Sequence, residues 1–304
     1  MRARTISSAA AIVLVGLMPA TPVGAQSYGP QTPRDITQTA GTNRSAFLIA
    51  PAASKLNLCN IHFHSGAEHR GPGYLHPVAH GSGSGHGGAA GFQCNGTSKL
   101  TAAQLAPPPG GACKGLKPGD TIEVHWVYTS CSTAPGQTLG ACVADHCKNP
   151  MLRVESQVFL VVNDPTGRDF TKFDYSGALT NGVHQPKSLP GPGARPVVFR
   201  GSTTGPSFDE TKGSPYEVTW SVRKSCENVD INSLHRWCAN NVFKEDHAHG
   251  VRKLVTDVSQ LDAIQGTAGP GDSADAGAAR RPGANYCGGV GNYRNPATGK
   301  CEAK

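Results

Sequence analysis

Between Cys59 and Gly73 the chain reads Cys-Asn-Ile-His-Phe-His-Ser-Gly-Ala-Glu-His-Arg-Gly-Pro-Gly. Ile61 and Phe63 alternate with His62 and His64, and a period of two is the mark of a β-strand that buries one face and carries both imidazoles on the other. Such a strand needs a partner. The segment Gly119-Asp120-Thr121-Ile122-Glu123-Val124-His125-Trp126-Val127-Tyr128 is again β-branched and aromatic, and pairing the two would carry His125 toward His62 and His64. Three neutral imidazoles leave the fourth position of a tetrahedral zinc ion open, which is the ligand set of a catalytic site and not of a closed structural one. The pattern therefore predicts a zinc site, with Zn2+ held by His62, His64 and His125, that activates water.

The rest of the chain is consistent with a fold built from strands. Leu152 to Val162 is the most apolar run in the mature chain and is closed by Asn163-Asp164-Pro165; Pro196 to Gly201 is a shorter strand, and Tyr216 to Val222 alternates as a half-buried one. One helix is predicted, with Asp230 as its N-cap and Ile231, Leu234 and Cys238 on one face. The 38 glycines and 23 prolines suit many turns and long loops. The expected fold class is mainly β (α+β): one domain around a central, mostly antiparallel sheet, with short peripheral helices and long disulfide-tied loops.

The chain opens with Met1-Arg2-Ala3-Arg4, an apolar run from Ala9 to Met18 and small residues at Val23-Gly24-Ala25. These are the parts of a secretory signal peptide over residues 1–25, cleaved after Ala25, and imply a secreted or periplasmic protein with no membrane span. Export gives the ten cysteines their meaning, because an even number in an oxidising compartment reads as disulfides. Connectivity does not follow from spacing; the simplest local pairs are Cys226 with Cys238 and Cys287 with Cys301. Residues 26–265 form the expected catalytic domain, and 266–304 a tail rich in glycine, alanine and proline that ends in the Cys287–Cys301 loop. The net charge of +7 is spread without a Lys/Arg block, which excludes nucleic acid as the expected partner.

Residues 71–91 are rich in glycine, serine and histidine, and a run so poor in apolar residues reads as a flexible loop. His69 in front of it, and His76 and His80 within it, are candidates to relay a proton from the metal. The bland reading is a solvated loop with ordinary histidines. His247 and His249 fall on one face of an extended segment and read as a shuttle, a second metal pair or a solvated pair.

Taken in order, His62-Phe63-His64, Glu68-His69, Glu123-x-His125, Gly201-Ser202-Thr203-Thr204-Gly205-Pro206 and Val218-Thr219-Trp220 resemble the signature elements of the α-class carbonic anhydrases. The short spacing from His64 to Glu68 and the form Ile-His-Phe-His-x-x-Ala-Glu-His are more similar to the δ-class. The resemblance spans roughly residues 55–255. It implies an α-carbonic-anhydrase-like fold and reversible hydration of carbon dioxide to bicarbonate and a proton through zinc-bound hydroxide. It further implies that Thr204 accepts a hydrogen bond from that hydroxide and donates one to Glu68, that Glu123 holds the imidazole of His125, and that Val127 and Trp220 line an apolar carbon dioxide pocket. Two departures bear on this: Thr203 stands where the α-class has leucine, and Gly205 where it has a second threonine. A register one residue earlier would make Thr203 the orienting hydroxyl.

Two other readings compete. His62-x-His64-x-x-x-Glu68 with a later histidine is also how a cupin presents ligands, to iron or manganese, for oxygenation or isomerisation. In that reading Glu68 is a direct ligand. An exported zinc-binding protein without catalysis is the third.

Overall fold

The computed structural model describes residues 29–44, 48–78, 91–147, 150–191, 195–202 and 216–264, with the backbone of 292–294 and 301–303. The expected signal peptide, most of the tail, His80, Thr203, Thr204 and Gly205 lie outside the described residues.

The strands in chain order are β1 (Asn57–Ser65), β2 (His76–Pro77), β3 (Phe92–Gln93), β4 (Thr121–Thr129), β5 (Leu152–Val162), β6 (Tyr175–Thr180), β7 (Val183–Pro186), β8 (Val197–Ser202), β9 (Glu217–Asp230), β10 (Asn292–Arg294) and β11 (Cys301–Ala303). Five of them form one sheet in the order β1-β4-β5-β9-β8, antiparallel throughout except for the parallel pair β5 and β9. β5 sits at its centre and is buried along its whole length. A strand covered on both faces has no solvent side for its polar residues, so Arg153, Glu155, Ser156 and Gln157 find their partners inside the protein, while Val158 to Val162 is apolar throughout. The parallel pairing requires a long crossover, and the chain between β5 and β9 supplies it with the small hairpin β6–β7 and with β8.

The alternation in β1 and β4 sorts residues between the two faces of the sheet. On one face Ile61, Phe63, Val124, Trp126 and Phe159 pack against Phe170, Phe173 and Trp237. Helix α1 (Ala102–Leu105) is peripheral, whereas α2 (Ile231–Ala239) closes this core. α2 starts as expected: the Asp230 carboxylate accepts from the N–H groups of Asn232 and Ser233, and Ile231, Leu234 and Cys238 are buried. On the other face Val127, Val154, Val158, Phe199, Trp220 and Val222 form a second apolar layer. This is the face that carries His62, His64 and His125.

Four disulfides tie the described residues: Cys59–Cys142, Cys94–Cys226, Cys113–Cys238 and Cys131–Cys147. The segment after Cys131 is thereby tethered at both ends. The expected Cys226–Cys238 pair does not form. Cys226 packs with the layer on the histidine face and Cys238 with the layer under α2, so the sheet separates two residues that are close in sequence. Cys287 and the side chain of Cys301 lie outside the described residues. No helix among the described residues is long and apolar enough to cross a membrane.

Candidate metal centre

β1 and β4 are antiparallel with His62 opposite His125 and His64 opposite Glu123. The three imidazoles consequently share one face, with ring centroids 5.2 Å (His62–His64), 5.1 Å (His62–His125) and 4.8 Å (His64–His125) apart. Each offers one ring nitrogen, and all three nitrogens lie within 4.8 Å of one another. Their other nitrogens are engaged: His62 Nδ1 donates to Asn60 Oδ1 at 2.7 Å, His64 Nδ1 to the Gly250 carbonyl at 2.9 Å, and His125 Nε2 to Glu123 Oε1 at 3.0 Å. Three oxygen acceptors thus fix three tautomers so that the remaining lone pairs converge. Burial, with repulsion from the neighbouring rings, holds His62 well below its ordinary value, and burial holds His64 down to about 4 despite the opposing pull of Glu68. Both rings are neutral at pH 7 and ready to ligate.

Glu123 does more than hold His125. Its Oε1 also accepts from His69 Nδ1 at 2.6 Å and Ser156 Oγ at 2.5 Å, and its Oε2 from the N–H groups of Glu68 at 2.7 Å and His69 at 3.2 Å. Burial alone would raise this carboxyl, but His69 and His125 outweigh it and hold it well below the usual range. His69, Glu123 and His125 also come within ligating distance of one another, though the hydrogen bonds among them already account for that closeness. His69 completes its own pairing with Thr32 Oγ1 at 3.3 Å and is wholly buried.

Glu68 is buried as well, and its partner, Arg252, has no signal in the local sequence. Arg252 donates to Oε1 from its backbone N–H at 2.9 Å and from Nε at 3.1 Å, and to Oε2 from Nη2 at 3.0 Å. Burial pushes the Glu68 carboxyl up, yet Arg252 and then His64 hold it well below the ordinary carboxylate range. The expected partner Thr204 lies outside the described residues, as does the alternative Thr203.

Val127 is buried two positions beyond His125 on the same face, and the Trp220 ring meets the His125 ring edge-on at 5.1 Å. Phe199 stacks behind Trp220 at 6.5 Å, and the Arg252 guanidinium lies 5.8 Å from the indole centre. His76 is exposed on β2, while His80 is outside the described residues. The imidazole beside the cluster with open access is His249, 5.6 Å from His62 and 6.0 Å from His64, paired with Glu245 at 2.7 Å. His247 follows at 5.5 Å from it.

Comparison with known proteins bears on what this arrangement is. The family model for Delta carbonic anhydrase matches residues 53–233, more than half of the chain. The chain belongs to the delta carbonic anhydrase family. The matched span holds β1, β4 and all three imidazoles, together with Glu68 and Glu123. Among solved structures, a Photobacterium profundum alpha-carbonic anhydrase is similar at 18% identity over 77% of this chain and 88% of that one, with a TM-score of 0.26. No curated protein gives a significant match.

The depressed imidazoles of this carbonic anhydrase family member set the acid sensitivity of the metal-free chain. An unfolded histidine takes a proton near 6.5, whereas His64 resists to about 4 in the folded chain. The unfolded state therefore binds more protons across that window, and stability is present above pH 6.5 and lost as pH falls toward 4. His64 alone contributes about 3 kcal/mol of that loss, and His62 adds in the same direction. Glu68 and Glu123, held low, stay ionised throughout. Urea unfolding of chelated protein at pH 7 and pH 4.5 tests this; a flat profile would contradict the neutral, buried assignment.

Proposed function

We propose that the protein catalyses the reversible hydration of carbon dioxide to bicarbonate and a proton, with zinc held by His62, His64 and His125. The observation that carries this reading is the convergence of three ring nitrogens whose partners across each ring are all bound to oxygen acceptors. Such a donor set, neutral and buried, fits a divalent ion of imidazole preference. A zinc ion there would lower the pKa of its water from 15.7 to about 7 and so supply a nucleophile at neutral pH.

The other residues have separate tasks. Val127 and Trp220 present an apolar wall beside His125, suited to a neutral linear molecule that brings no hydrogen-bonding needs. Thr204 is proposed to aim the attacking lone pair, with Glu68 as its acceptor. Arg252 keeps Glu68 ionised and fixed, so that the carboxylate accepts a hydrogen bond and gives up no proton. Glu123 holds His125 in its tautomer. The disulfides accord with the proposed export, with cleavage after Ala25 and a working place outside the cytoplasm.

A cupin-type reaction would need Glu68 on the metal. Its carboxylate is committed to Arg252, and it is in neither of the two clusters close enough to share an ion.

Stopped-flow carbon dioxide hydration on the mature chain, with metal content measured on the same sample, tests the proposal. Hydration should vanish on chelation and return with zinc, and Thr204→Ala should keep the metal while losing activity. Bound zinc without hydration would favour an exported binding protein, and iron or manganese without hydration a cupin chemistry. Full activity in Thr204→Ala would remove the orienting role from that residue.

A further inference from the structure

On the sheet face away from the three imidazoles, the apolar layer is interrupted by charge. Arg153 and Glu155 of β5 and Arg223 of β9 lie on that face, with Tyr128 of β4 directly across from Arg153 and Ser221 of β9 across from Glu155. Tyr128 is 0% exposed, Arg153 1%, Arg223 5% and Glu155 6%. The last two figures leave the cluster a narrow rim to solvent.

Two guanidiniums face one carboxylate. Glu155 accepts from Arg153 Nε at 2.8 Å and from Arg223 Nη1 at 3.3 Å. The guanidiniums' further contacts are all carbonyls: Ala50 at 3.4 Å and Pro51 at 3.5 Å for Arg153, and Gly191 and Ser156 at 3.3 Å each for Arg223. Among the described residues this leaves one buried positive charge without a counter-charge, an arrangement that folded proteins avoid because desolvation of an unpaired ion is expensive. The Tyr128 hydroxyl, close enough for all three charges to act on it, has no hydrogen-bond partner among the described residues. A buried O–H donor left unused is equally rare. Excess cation and spare donor are together the complement of a single anion.

We infer that Arg153, Arg223 and Tyr128 form an internal site for a small monovalent oxyanion on the opposite side of the sheet from the metal centre. One negative charge balances the cluster, the guanidinium forks match a planar oxyanion in two-point contact, and the Tyr128 hydroxyl supplies the third donor. Bicarbonate and nitrate have the required shape and charge. Glu155 acts in this site as the fixed competitor, since it occupies one donor of each guanidinium.

The inference is tested by thermal melting of the full chain at constant ionic strength while sodium gluconate is replaced by nitrate or bicarbonate, once with metal and once after chelation. A saturable rise in Tm is expected with both small anions, and it should survive chelation because the site does not involve the metal. Tyr128→Phe removes a hydroxyl that has no partner among the described residues, so it should fold normally in gluconate and bind the anions roughly tenfold more weakly or worse. Glu155→Gln raises the net positive charge and should bind them more tightly. Three results would each overturn the inference: no rise beyond gluconate, a rise that disappears with the metal, or a rise of equal midpoint in Tyr128→Phe.

Discussion

His125→Ala should leave a folded chain that no longer holds zinc and hydrates carbon dioxide no faster than buffer. His125 is the one proposed ligand from β4, opposite His62 in register and bonded through Nε2 to Glu123. Losing only the partner of a ligating imidazole lowers metal affinity about 10–100-fold. Deleting the imidazole itself removes a bond to the metal as well, and the remaining pair on β1 cannot define a tetrahedral site with one open position. The backbone of β4 stays laddered to β1 and β5 on both sides, so circular dichroism should change little. Stoichiometric zinc in purified His125→Ala would mean that the ion sits elsewhere and would sink the assignment.

How much of this was legible beforehand follows from where each interaction lives along the chain. β5 matches its expected boundaries of Leu152 and Val162 because its apolar end, Val158 to Val162, runs directly into the turn residues Asn163-Asp164-Pro165. That His125 would come to the face of His62 and His64 was readable because alternation puts Ile61 and Trp126 in the core and the histidines opposite; the register that sets His62 across from His125 was not, since a shift by two residues keeps the same faces. The β6–β7 hairpin went unpredicted, although Asn181-Gly182, both at positive φ, is a strong local turn signal. Arg252 was beyond reach for a different reason. It meets Glu68 across 184 residues of sequence, and no local period records such a contact. The same holds for Gly250 as acceptor for His64 and for the disulfide partners of Cys226 and Cys238. Pairing by proximity in sequence fails wherever the sheet lies between.

Glu123→Ala carries the largest expected effect on stability. The wild-type carboxylate collects two imidazole donors, one hydroxyl and two backbone N–H groups, all in the protein interior. Removing it leaves those donors with no acceptor, at about 1–3 kcal/mol for each that fails to find another. Even with partial relaxation the sum should reach about 4 kcal/mol or more, a size that buried networks produce and isolated surface contacts do not. Glu123→Gln separates shape from charge. The amide fills the same space but turns two N–H donors toward groups that are themselves donors, so it should destabilise by roughly half as much. Both variants should also bind zinc about 10–100-fold more weakly, because His125 loses the acceptor that fixes its tautomer. Bound metal adds its own stability to the folded state, and urea unfolding should therefore be compared on chelated samples. A chelated Glu123→Ala protein within 1 kcal/mol of wild type would show that the donors around this carboxylate find other partners, and that the centre does not depend on it.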